Sequence, residues 1–124
     1  MKTFTLITQI LLGLLFTVFG LNGFLHFIPM GPMPTGTAGQ FIGALSQSHY
    51  MDVVFAIQLI CGVLLLVNWY VLLALTVLGP VIVNIILFHA CMAPSGLPLA
   101  LIVSCLSLFL LWAYRDRFAA ILRP

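Results

Sequence analysis

Few side chains in this sequence are able to do chemistry. There are three histidines, His26, His49 and His89, and two acids, of which Asp52 is the one outside the C-terminal tail. Asn22, Gln58 and Asn84 place amides in otherwise apolar surroundings. Three imidazoles and a carboxylate are ligand types for zinc, copper or iron. No HxH or HxxxH pair sets two of them together, so the spacing specifies no metal site, and haem held by two histidines has no better support. Asp52 has a simpler role as the cap of a helix N-terminus, while its isolation leaves proton transfer open. Cys61, Cys91 and Cys105 are widely spaced without a CxxC, which excludes a dithiol or zinc motif and makes them small apolar fillers. Gly39 and Gly43 form no phosphate-binding pattern, and there is no GxGxxG, Walker or Ser-His-Asp signal.

The elements that must position these groups follow from composition. Of the 124 residues, 64% are hydrophobic and 5% charged, against about 25% charged in a soluble domain. Four basic and two acidic side chains do not cover a water-exposed surface, nor do they make the basic face that nucleic acid requires. The apolar residues come in long blocks, as they do when lipid is the solvent. The sequence thus predicts an all-α polytopic membrane protein, residues 1–124 forming a single membrane domain.

Four spans are expected, at about 4–25, 50–67, 71–89 and 97–114. The first is longer than a signal h-region and lacks an A-x-A-like exit, so it reads as a retained helix. Its Gly13, Thr17 and Gly20 lie at spacings of four and three, giving one slim face for close approach of a neighbouring helix or a partner. Pro29-Met30-Gly31-Pro32-Met33-Pro34 is a turn. The rest of the first outer loop, 26–49, contains a short interfacial helix over about 35–48. Asn68-Trp69-Tyr70 turns the chain tightly and sets aromatics at headgroup level, so the second and third spans are antiparallel neighbours. Gly79-Pro80 predicts a kink in the third span, and Ala93-Pro94-Ser95-Gly96 turns into the fourth. All basic residues lie at the chain ends, which puts both termini in the cytoplasm by the positive-inside rule. Arg115 and Arg117 read as anchors.

This topology gathers Asn22, His26, His49, Asp52, Asn84 and His89 at the outer side. Asn22 and His26, four apart, share a helical face. Asn84 and His89 diverge by about 140° on an ideal helix, so a kink or an unwound end must help them meet. Gln58, about 9 Å deeper than Asp52, would form the floor. An amide at Asn84, inside a long apolar helix, is costly unless paired. Asn22, His26, Asp52, Gln58, Asn84 and His89 are therefore the candidate ligand-binding set.

The chain resembles the DoxX-like family of small bacterial membrane proteins. The resemblance rests on Gly20-Leu21-Asn22-Gly23-Phe24 with Pro29 and the Met-Pro turn, on the stretch from Leu78-Gly79-Pro80 through Asn84 to Phe88-His89, on Ala93-Pro94-Ser95-Gly96-Leu97-Pro98, and on Trp112-Ala113-Tyr114-Arg115, and it covers nearly the whole chain. It implies a compact four-helix domain in a bacterial inner membrane. Because the family takes its name from a membrane component associated with a thiosulfate-to-quinone oxidoreductase, it also implies a link to redox chemistry. Without a CxxC or a flavin or iron–sulfur site, that link points to quinone binding or to service as a membrane subunit.

Three functions are carried forward. The first is binding of a lipophilic small molecule, quinone being the cofactor candidate, in a redox-linked subunit. The second is a structural or interaction subunit, with a redox protein or a second copy as partner besides membrane lipids. The third is a small transporter, for which four short helices offer few moving elements.

Overall fold

A computed structural model of the chain describes residues 2–27 and 35–122; the expected proline turn at 29–34 and Arg123 lie outside them. The described residues form helices joined by short turns, with no strand among them. In chain order these are α1 (Lys2–Leu25), α2 (Gly36–Gln47), α3 (Tyr50–Leu66), α4 (Val71–Cys91), a 3₁₀ turn (Pro94–Gly96), α5 (Leu97–Ala113) and α6 (Arg115–Leu122). α1, α4 and the Pro94–Ala113 segment are each long and apolar enough to cross a membrane. α2 and α3 pass the same test only as a pair, bent by 83° at His49. α6 was not expected: Arg115-Asp116-Arg117 reads as an exit into water, yet after one break at Tyr114 the chain winds again and Phe118 folds back onto the core.

α1 and α3 form the closest pair, running antiparallel. A Cβ added at Gly20 would lie 2.8 Å from the Leu59 nitrogen, and one added at Gly62 would lie 2.6 Å from both the nitrogen and Oγ1 of Thr17. The slim Gly13, Thr17, Gly20 face is therefore filled within the chain by α3. Lipid tails are as apolar as leucine, so such close packing, rather than exclusion from water, holds membrane helices together. α4 and α5 complete the bundle, and its core runs through Leu12, Phe16, Leu65, Ala74, Leu78 and Leu110. One end of the bundle, the terminal end, carries Lys2, the α3–α4 turn and Tyr114. The far end carries Leu25, the start of α3 and the 3₁₀ turn. α2 is attached there by its contact with α3 and by stacking of Phe41 on Phe88 of α4, with centroids 5.6 Å apart.

Candidate functional site

Of the residues expected to form an outer site, His26, Asn84 and His89 each bond back to their own helix, and His49 meets Asp52. His26 lies one residue past the end of α1, with φ 53°, so it has left the helical face it was expected to share with Asn22, although its N–H still donates to the Asn22 carbonyl at 2.9 Å. His49, with φ 62°, is the residue at which α2 bends into α3. Both occupy the left-handed region, where histidine is enriched among residues other than glycine, so a structural task explains two of the three histidines. His49 Nδ1 meets Asp52 Oδ2 at 3.1 Å. Both side chains are exposed, and such a pair contributes little. Asp52 sits in the first turn of α3 without capping it.

His89 is tied down differently. Its Nδ1 donates to the Ile85 carbonyl at 2.8 Å, and its ring lies where a Cβ on Gly96 would fall, 2.3 Å from that position, so it packs α4 against the 3₁₀ turn. Asn22 is buried at 5% exposure and Gln58 at 8%. Asn84 is exposed, and one of its amide hydrogens returns to the Pro80 carbonyl at 2.8 Å. Among the described residues no three His, Cys, Asp or Glu side chains converge as metal ligands would. His26→Gly and His49→Gly are each expected to hold the unfolding free energy or raise it by up to about 1 kcal/mol through relief of left-handed strain. His89→Gly is expected to lower it. A clear loss at His26 or His49, measured by thermal unfolding in detergent, would show that the imidazole itself is needed.

A buried polar network lies at the terminal end and was not among the expected site residues. Gln9, with 0% exposure, donates from Nε2 to the Leu65 carbonyl at 2.9 Å and to Asn68 Oδ1 at 3.0 Å, and its Oε1 accepts from the Tyr114 hydroxyl at 2.7 Å. One amide thus joins α1, the α3–α4 turn and the end of α5, with both amide hydrogens and the carbonyl in use. Asn68 and Tyr70, with φ 58° and 51°, make the turn tight enough to reach it. The signal in the sequence was an amide within the apolar run of α1, together with a topology that returns Asn68 and Tyr114 to the same end.

Beside this network opens a cavity of about 460 Å³ lined by Asn68, Tyr70, Val71, Leu72, Leu73, Tyr114 and Arg117. The Arg117 guanidinium lies 5.5 Å from the Tyr114 ring centroid and has no ion-pair partner among the described residues. Arg115, by contrast, is held at 4.5 Å over Trp112 and donates to the Trp112 carbonyl, as an anchor would be. A wholly apolar groove of about 180 Å³, lined by Ile57, Ile60, Cys61, Leu64, Leu73, Ala74 and Val77, runs between α3 and α4 and shares Leu73 with the cavity. None of the six residues proposed from the sequence lines either space.

Fold and composition together define an all-helical protein with, among the described residues, three helices, or four if α2 and α3 count as one broken span, able to cross a membrane, consistent with a multi-pass membrane protein. No family model, curated protein or solved structure matches the chain.

Proposed function

We propose that the chain is a four-span membrane domain that binds a lipophilic small molecule with an acceptor-rich head. α1, α3, α4 and α5 cross the bilayer and α2 lies along the interface of the first outer loop. The placement of all basic residues toward the chain ends supports cytoplasmic termini, and the DoxX-like resemblance supports a bacterial inner membrane. One observation carries the binding reading: a cavity edged by hydrogen-bond donors adjoins an apolar groove through Leu73. The Asn68 amide, the Tyr70 hydroxyl and Arg117 offer donors, and the groove offers a surface for a tail, the division of labour usual for such sites. A quinone head presents two carbonyl acceptors and fits this donor set. Its redox service is what the resemblance adds.

The test is solvent extraction of the protein purified in mild detergent, repeated for Arg117→Gln and Leu73→Trp. The expected result is a quinone at near-stoichiometric amount, reduced at least fivefold in both variants. Phospholipid in its place would keep the amphiphile and overturn the quinone. Quinone lost in Asn84 or His89 variants but retained in Arg117→Gln would move the site to the far end. An empty protein that also fails to bind added short-chain quinone would overturn the reading. A role as an interaction subunit draws separate support from the exposed face of α4, which is apolar apart from Thr76 and Asn84.

A further inference from the structure

α4 turns Val71, Ala74, Leu75, Leu78 and Ile82 into the bundle. Its other face, through Leu73, Thr76, Pro80, Val83, Asn84 and Leu87, is exposed along the span. This face is apolar except where α4 interrupts its own hydrogen bonding. Pro80 has no N–H, so the Thr76 carbonyl one turn earlier loses its helical donor, and the Thr76 hydroxyl is already committed to the Leu72 carbonyl at 2.8 Å. Asn84 spends one amide hydrogen on the Pro80 carbonyl. Its Oδ1 and second N–H have no partner among the described residues.

Depth makes this consequential. Asn84 is about 20 Å along α4 from Val71 and about 10 Å from Cys91 by helical rise, which puts it inside a hydrocarbon layer of about 30 Å. Neither water nor headgroups are to hand there, and an unpaired amide in hydrocarbon is expensive.

We propose that this face is where a second copy of the chain docks, with Asn84 paired to Asn84 across a two-fold axis along the membrane normal. The amide is its own complement: it carries one free donor and one free acceptor, and the axis brings the two residues together at equal depth. A different partner would have to supply a polar group at that depth on an apolar helix, whereas a second copy supplies it by symmetry. This face shares Leu73 with the ligand cavity and the groove, and the test below leaves Leu73 unchanged.

The test is energy transfer between labelled full-length copies in liposomes across a dilution series in lipid. Wild-type chains are expected to associate as dimers, and Asn84→Leu to weaken association by roughly tenfold, the order expected for loss of interhelical hydrogen bonds. Asn84→Gln, which keeps the amide, should retain most of it, and Leu108→Ala on exposed α5 should leave it unchanged. In a background with Cys61, Cys91 and Cys105 replaced by alanine, Leu87→Cys should cross-link between copies and Leu108→Cys should not. Monomers at every dilution, or unaltered association in a folded Asn84→Leu variant, would overturn the proposal. So would cross-linking through Leu108→Cys in preference to Leu87→Cys.

Discussion

Gly62→Ala destabilises the bundle by about 2 to 3 kcal/mol, the cost of overpacking a well-packed contact, read as a lowered thermal or detergent-unfolding midpoint. The added methyl falls 2.6 Å from the Thr17 nitrogen and Oγ1 and 2.9 Å from the Gly13 carbonyl oxygen. Two of those three atoms are backbone, which no rotamer change moves aside, so α1 and α3 must separate. Their separation is costly because this is the most extensive helix pair among the described residues and because in lipid, with no hydrophobic force between helices, those packing contacts are what hold the pair together. Gly43→Ala is the internal control. It faces open space on α2, so it should gain up to about 1 kcal/mol from helix propensity alone. Equal responses from the two glycines would mean that the α1–α3 contact is looser than it stands here.

Half of that contact is legible in the sequence, where Gly13, Thr17 and Gly20 mark a slim helical face. The spacing identifies the face without its occupant; antiparallel pairing with α3 then brings Gly62 opposite. Three span-length helices were legible too, since hydropathy over about twenty residues is set by bilayer thickness, whereas the expected span at 50–67 reaches that length only together with α2 across the bend. The candidate site was less so. Imidazoles and a carboxylate stand out chemically at the far end, yet His26 and His49 hold left-handed turns and His89 packs against Gly96. Gln9 carries no charge and lies 105 positions from its partner Tyr114, so no local pattern announces the pair. α6 was hidden by its charged start. Its amphipathic return, with Phe118 reaching the core, places Arg117 beside the cavity, a position no exit signal encodes.

The second large effect belongs to Gln9. Gln9→Leu keeps the volume and removes three hydrogen bonds, leaving the Leu65 carbonyl, Asn68 Oδ1 and the Tyr114 hydroxyl without their shared partner. The buried Leu65 carbonyl keeps only a long bond of 3.4 Å from the Asn68 N–H and the half-exposed groups recover part of theirs from water, so the expected loss is about 2 kcal/mol. Tyr114→Phe, which frees only Oε1, should cost about 1 kcal/mol. Because both variants break the same Tyr114–Gln9 bond, the double variant should cost less than the sum of the two by about 1 kcal/mol, which a double-mutant cycle on unfolding midpoints measures. Gln9→Glu separates shape from hydrogen bonding: it retains an acceptor for Tyr114 but has no N–H for Leu65 or Asn68 when ionised, and it should be at least as damaging as Gln9→Leu. The network also holds two walls of the cavity, Asn68 and Tyr114. Gln9→Leu should therefore weaken binding of an added short-chain quinone several-fold although Gln9 itself does not line the space. Binding unchanged in a destabilised Gln9→Leu protein would separate the fastening of the bundle from the cavity and leave the head group to Tyr70 and Arg117 alone.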